Sequence, residues 1–377
     1  MKIALVRGAF LNQYEAQLYY PLIKKHQITG FCSKHPIHDK FPFPVEKFLS
    51  PMDVNFGIFS RLKMPILNRL FVDAHWLIGM ENKIEGFDIA HCADTFYHFT
   101  HQCVRAKQEG QVKKVVATVF ENIPFNNEGI WGRKRFKKDA LENIDHFIAI
   151  SERSKAVLML EGVPEKRITV IGQRIDTQRF RPVRRSFSSR EVTILFTGRL
   201  EFYKGVLEII YSAKRLLSDP ELKSYKIKFV LVGDGSMKKK LLKLIDDLGI
   251  RKNVSIKAAD YSKMTSFYDA ADMYVAPSRA TPTYQEQFST VLLEAQASGL
   301  PIVTTYSGGI PENVEDAALM ANPGDFYSIS EALKKLILNP TLRKQLGMRA
   351  RQHSLKYDIR KGASEIEDIY RRVLSEK

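Results

Sequence analysis

Short apolar runs rich in β-branched residues alternate along the chain with longer stretches whose apolar positions recur every three or four residues. That alternation predicts a parallel sheet covered by helices, an α/β architecture. In the first half the expected strands are residues 3–6, 88–91, 114–119 and 146–150. In the second half they are 193–197, 228–232, 254–256, 273–276 and 301–304. Amphipathic stretches at 236–248 and 329–338 read as helices between them.

The alternation pauses once. Residues 172–182, followed by the basic and serine-rich 184–190, carry no clear period, and a fresh strand pattern starts at Val192. The expected organisation is therefore a first domain over 1–180 and a second over 191–356, each a doubly wound, Rossmann-like unit, with a charged helical stretch at 357–377. A chain of 377 residues exceeds the size at which one core keeps growing, which favours two domains.

Composition narrows the function classes. With 44% hydrophobic and 27% charged residues the chain is globular. Its net charge of +16 implies an acidic partner, whether nucleotide phosphate, nucleic acid or anionic lipid. Cys32, Cys92 and Cys103 follow no disulfide or zinc spacing and read as reduced thiols in a cytoplasmic protein. The apolar run at the N-terminus is too short for a secretion signal, and no stretch is long enough to cross a bilayer.

The densest chemistry lies in 286–301. Glu286 ends a loop containing Pro282 and Tyr284, a helix is expected from about Ser289 to Ser298, and Gly299 stops it before a buried strand. Eight residues apart, Glu286 and Glu294 stand roughly 80° apart around the helix axis and can address one ligand from the same side. The first amide N–H groups, on Phe288, Ser289, Thr290 and Val291, form an anion site suited to a diphosphate.

Three further turns follow strands. Thr197-Gly198-Arg199-Leu200-Glu201-Phe202-Tyr203-Lys204-Gly205 places a planar cation and a compact one where open α/β sheets bind ligands. Gly233 and Gly235 allow a tight turn into the next helix, and Gly308-Gly309-Ile310-Pro311-Glu312 follows the last of the buried strands.

Taken in order, G-R-L-x-x-x-K-G, V-G-D-G, E-x-F-x-x-x-x-x-E-A-x-A-x-G-x-P and G-G-x-P-E resemble the donor domain of retaining glycosyltransferases of family 4 over about 191–355. The resemblance implies the GT-B fold, two Rossmann-like domains facing across a cleft with 357–377 crossing back to the first. It implies transfer of a hexose-type sugar from a nucleotide-sugar, UDP- before GDP-linked, to a glycan, lipid-linked or small-molecule acceptor. Arg199 and Lys204 would grip the pyrophosphate, Glu294 the ribose hydroxyls, and Glu286 would face the transferred sugar. Residues 288–291 would add backbone contacts, and Ser289 stands where relatives commonly carry glycine. Gly8, after the first strand, matches the family more faintly.

On the acceptor side the chain reads Thr118-Val119-Phe120-Glu121-Asn122 where many relatives have a histidine at the position of Phe120, so Glu121 and Asn122, with His91 at a strand end facing the cleft, are the candidates. No D-x-D occurs in the chain, so neither a metal nor another cofactor is expected. Catalysis would rest on positioning and on cations that stabilise the leaving diphosphate.

Two segments admit other readings. His91, His98 and His101 with Cys92 and Cys103 suggest metal ligation but fit no compact zinc spacing; a strand end followed by a helix is expected instead. Residues 125–138 interleave Phe125, Ile130 and Trp131 with five cations, either as a solvated basic face or as a surface resting on an anionic leaflet. A nucleic-acid-binding protein is disfavoured because it leaves the paired glutamates unexplained. A phosphorylase or epimerase on the same fold is the alternative.

Overall fold

The computed structural model describes residues 1–376 other than Phe56, Ile58, Phe59 and Thr283, with Ser60 and Arg61 described by backbone alone. The chain divides into two compact units, Met1–Arg174 with Ile359–Lys377, and Ile175–Asp358.

The first unit holds seven strands: β1 (Lys2–Val6), β2 (Gln27–Ser33), β3 (Val45–Phe48), β4 (Phe87–Ala93), β5 (Val112–Val119), β6 (His146–Ala149) and β7 (Ile168–Val170). They lie in the order β3-β2-β1-β4-β5-β6-β7, and every pairing is parallel. The central strands are buried on both faces and so read as continuous apolar runs. One face packs against a core that includes Phe99, Val104 and Phe147. The other packs against Tyr19, Leu22 and the helix Ile359–Ser375 through Ile366 and Tyr370.

The second unit holds β8 (Glu191–Thr197), β9 (Lys226–Val232), β10 (Val254–Lys257), β11 (Met273–Ala276), β12 (Ile302–Thr305) and β13 (Ala318–Ala321), in the parallel order β10-β9-β8-β11-β12-β13. In each unit the chain turns back at its first strand: β1 sits between β2 and β4, and β8 between β9 and β11. This is the switch point where carboxyl-end loops splay apart and leave room for a ligand.

Four strands lie outside the expected set: β2, β3, β7 and β13. The edge strand β3 shows why. It exposes both Glu46 and Lys47, so its apolar signal shrinks to its two ends. The aperiodic 175–190 stretch is not a loose connection. Phe180 is fully buried, and the Arg185 guanidinium donates to the carbonyl oxygens of Tyr268, Ala271 and Ser298 within the second unit.

Candidate functional site

The second unit gathers its chemistry at the carboxyl ends of β8, β9, β11 and β12. After β8 the chain makes a short turn over Phe202–Lys204 that Gly205 closes at φ 69°. A Cβ on Gly205 would stand 1.9 Å from the carbonyl oxygen of Pro277, just past β11. Only glycine lets the turn press on the β11 end, and that contact delivers Lys204 to the residues beyond it.

Lys204 Nζ lies 2.6 Å from Glu286 Oε2. The same oxygen accepts from Ser278 Oγ at 2.8 Å and from the Tyr284 hydroxyl at 3.2 Å. Burial would push the Glu286 carboxyl up, but Lys204, Ser278 and Tyr284 outweigh it and hold it below the usual glutamate range. Arg199 is exposed, with its guanidinium 5.3 Å from the centroid of the Tyr203 ring. Lys204 lies over that ring too, at 5.9 Å, so both cations border one aromatic surface.

The backbone of Glu286 is fixed from behind by the loop after β12. Gly309 N–H donates to the Glu286 carbonyl at 2.8 Å. A Cβ on Gly308 would come within 1.9 Å of that carbonyl oxygen, and one on Gly309 within 1.9 Å of the Gln287 oxygen. The two glycines therefore act as a flat seat for residues 286–287. Gly198 and Gly233 meet in the same way after β8 and β9, where a Cβ on Gly233 would stand 1.9 Å from the Gly198 oxygen.

The helix expected from Ser289 runs Thr290–Ala297, with Ser289 as an N-cap that makes no side-chain cap bond. Among the described residues no group accepts from the amide N–H groups of Phe288, Ser289, Thr290 or Val291. The row of donors at the helix entrance is thus open, beside the Lys204–Glu286 pair.

Glu294, two turns in, is only 2% exposed. Tyr268 donates to its Oε2 at 2.7 Å, and the Tyr268 hydroxyl is paired in turn with Thr197 Oγ1 at 2.8 Å. Burial pushes the Glu294 carboxyl up to about 7, against the opposing hydrogen bonds of Tyr268 and Tyr261 and the charge of Arg179. Arg179 stacks on the Tyr261 ring at 4.3 Å. Ser278, Tyr284, Tyr268 and Tyr261 carry no motif of their own. Tyr261 and Ser278 follow a strand and Tyr284 stands two residues ahead of Glu286, whereas Tyr268 sits in the short helix Met264–Asp269 and gives no signal of its own.

The first unit uses the equivalent strand ends differently. Gly8 follows β1 at φ 54°, where a Cβ would stand 2.9 Å from the Phe99 ring. Beside it, Arg7 is 2% exposed and donates to Glu15, Tyr19 and the carbonyls of Val6 and His91. His91 corrects an expectation: it is fully buried, and β4 continues past it to Ala93. Its Nε2 pairs with Thr118 Oγ1 at 2.8 Å and its Nδ1 with the Tyr370 hydroxyl at 2.5 Å. It fills the interior because its two polar neighbours satisfy both ring nitrogens, which a sequence cannot display.

Glu121 accepts from the amides of Asn122 and Ile123 and from the side chains of Asn126 and Asn127, so its carboxylate shapes its own loop. Asn122 is 2% exposed, and its carbonyl accepts from Arg153. A carboxylate absent from the expected set stands nearby. Asp94, just past β4 at φ 51°, accepts from the amides of Phe120 and Glu121, and burial raises it to about 7.

The histidines of 91–103 do not converge. His98 pairs with the Phe71 carbonyl and His101 with Asp139, and among the described residues no three His, Cys, Asp or Glu side chains stand together as a metal site.

Two parallel, doubly wound units with charged turns at their strand ends define the class, and the comparisons give the family. Residues 178–353 match the model for glycosyl transferases group 1, and residues 22–179 the model for glycosyltransferase family 4. The two matches run through both units; the chain belongs to glycosyltransferase family 4 and has the GT-B fold. The D-inositol 3-phosphate glycosyltransferase of Saccharomonospora viridis is 27% identical over 239 residues, 59% of this chain and 54% of that protein. The capsular polysaccharide biosynthesis glycosyltransferase CapM of Staphylococcus aureus is 27% identical over 270 residues, 66% and 68%. The matched stretch thus spans about half the length of the first of these relatives.

Among solved structures, HepE of Anabaena in complex with UDP superposes with a TM-score of 0.76 at 17% identity, over 98% of this chain and 99% of that one. Sucrose-phosphate synthase of Thermosynechococcus elongatus reaches 0.75 at 17% identity, over 100% of both.

Proposed function

We propose that this protein is a retaining, metal-independent glycosyltransferase that moves a hexose-type sugar from a nucleotide-sugar to a glycan, lipid-linked or small-molecule acceptor. The observation that carries the reading is the Lys204–Glu286 pair, 2.6 Å apart, set beside an open row of helix N-terminal amides. A cation tied to a buried carboxylate and flanked by free donors fits a ligand that brings a diphosphate next to a sugar.

In this reading the diphosphate takes the amides of Phe288–Val291 and the exposed Arg199, and Lys204 bridges it to Glu286. Charge that develops on the leaving phosphate meets donors already in place, so little reorganisation is needed at the moment of bond breaking. Glu286, held ionised by three donors, accepts from hydroxyls of the transferred sugar. Glu294 takes the ribose hydroxyls, with Tyr261 giving way at its carboxylate. The departing phosphate accepts the acceptor's proton on the same face, which keeps the anomeric configuration.

UDP comes first among the bases because HepE, which shares the fold, has been solved with UDP and with UDP-glucose; GDP comes second. We place the protein on the cytoplasmic side, resting on an anionic membrane surface through residues 125–138. Among the described residues no helix is long and apolar enough to cross a membrane.

Calorimetric titration of wild type and Glu294→Gln with UDP, GDP and ADP, then with the sugar conjugates, tests the reading. Binding of one nucleotide series, weakened in the variant, is expected. Binding of none would sink the proposal, and a product with inverted anomeric configuration would sink its stereochemical half.

A further inference from the structure

Away from the donor site, five of the large exposed apolar side chains of the first unit lie on two segments that touch. On the helix Ser60–Phe71, Leu62, Ile66 and Leu70 are 51%, 42% and 68% exposed, while Leu67 is buried. Spacing by four puts the exposed three in one row along the helix. The second segment leads into the helix Arg133–Asn143 and exposes Phe125 at 55% and Trp131 at 70%.

The two segments are clamped together. Asp73, fully buried, accepts from Arg133 Nη2 at 2.5 Å. Val72 packs so tightly on Gly132 that a Cβ there would stand 2.7 Å from its methyl groups. Leu70 and Trp131 are each within two residues of that contact, so the apolar row and the aromatic loop adjoin there.

The cations of this region sort into two kinds. Arg133 and Lys137 are buried and neutralised from within, by Asp73 and by Glu161 with Glu128. Arg69, Lys134, Arg135 and Lys138 remain exposed. Among the described residues, Lys134 and Lys138 have only loose carboxylate neighbours, at 4.0 Å and 3.9 Å. What faces outward is therefore apolar and positive. A second copy of the chain would bring like charges together, whereas an anionic lipid leaflet offers both an apolar interior and a negative surface.

We infer that Leu62, Ile66 and Leu70, with Trp131 and Phe125, insert at the headgroup boundary of a bilayer carrying anionic lipids, while Lys134, Arg135 and Lys138 meet the headgroups. This builds on the membrane reading of residues 125–138 and adds the apolar helix row as its anchor. A twelve-residue helix is about 18 Å long and lies in the interface plane instead of spanning it.

Flotation of the full chain with vesicles of phosphatidylcholine alone or mixed with phosphatidylglycerol tests the inference. Wild type should float with the mixed vesicles and keep part of its binding at high salt. Ile66→Glu with Leu70→Glu should lower partitioning about a hundredfold. Lys134→Ala with Lys138→Ala should lower it about thirtyfold and remove the preference for phosphatidylglycerol.

Three results would overturn it: no flotation of wild type, a glutamate double variant that floats like wild type, or light scattering that shows a wild-type dimer dissolved by that variant. UDP titration of the same samples separates this from the donor reading. Every variant should bind UDP as wild type does, since the changes lie in the other unit, and wild type that floats without binding any nucleotide would remove the transferase reading alone.

Discussion

The two units share one topology and treat the same positions in opposite ways. At the carboxyl ends of β8 and β11 the second unit leaves polar groups open or only locally paired: an exposed Arg199, a row of amides without acceptors among the described residues, and Lys204 with Glu286. Past the end of β1 and inside β4 the first unit turns its polar groups on one another, Arg7 with Glu15 and Tyr19, His91 with Thr118 and Tyr370. The fold fixes where such residues stand. Whether they serve a ligand or the interior depends on what each side chain finds within hydrogen-bond reach.

The sharpest way to break that contrast is to remove Lys204. Lys204→Ala takes away the cation proposed to meet the diphosphate and leaves Glu286 buried without its counter-charge. We expect transfer to fall about 10³-fold, with affinity for the bound nucleotide also reduced in calorimetry. Wild-type affinity and turnover in this variant would mean that the pair is structural, and the two units would then not differ as argued.

A smaller effect follows from the buried Glu294. Its ordinary value is 4.5 and burial lifts it to about 7, so between those values the folded protein holds a proton that the unfolded chain has lost. The associated stability is fully present below about 4.5 and is lost as pH rises through about 7, a change on the order of 3 kcal/mol for this group. Urea unfolding across that window should show wild type losing stability relative to Glu294→Gln. If the proposed ribose hydroxyls donate to the carboxylate they favour its charged form, so nucleotide affinity should rise as pH approaches about 7 from below, with release of a proton, and level off above it. A flat difference between the two proteins would place the Glu294 proton elsewhere.

Much of the second unit is legible in the sequence because its constraints are backbone constraints. Gly205, Gly308 and Gly309 stand where a Cβ would collide with a carbonyl, and such needs leave a residue type at a fixed spacing. The helix after Glu286 is framed by Ser289 and Gly299 for similar reasons. The hydroxyl donors to Glu286 and Glu294 were not legible: Ser278, Tyr284 and Tyr268 reach them through folding contacts, and a lone hydroxyl leaves no period. In the first unit, strand-end polarity suggested openness for His91, yet its partner Tyr370 lies 279 residues away. The basic run 131–138 showed its charges but not that two of them are buried, since Asp73 and Glu161 come from other segments.

From the other side, His91→Gln sharpens the contrast. The variant cannot keep both the Thr118 and the Tyr370 bonds in a fully buried position, and leaving one partner unsatisfied costs about 2 kcal/mol. Denaturant unfolding should register that loss while nucleotide titration stays at the wild-type value, because the residues proposed to hold the donor belong to the second unit. A variant of normal stability that lost nucleotide binding would give His91 the ligand role its burial argues against.

The smallest expected effect separates the loops that touch a ligand from those that only hold them. Ser236 donates through its amide and its hydroxyl to the Glu201 carboxylate, at 2.9 Å and 2.5 Å, and ties the turn after β9 to the turn after β8. These two donors hold the Glu201 carboxyl below its ordinary value even though the pair is exposed. Ser236→Ala keeps the amide bond and removes the hydroxyl, so the cost should stay within about 1 kcal/mol of stability. Nucleotide affinity should fall by about twofold at most, since Arg199 is displaced only through its neighbour Glu201. A tenfold loss would instead place the Ser236 hydroxyl on the nucleotide itself, and the ligand-facing edge of the second unit would then extend past β8 to the end of β9.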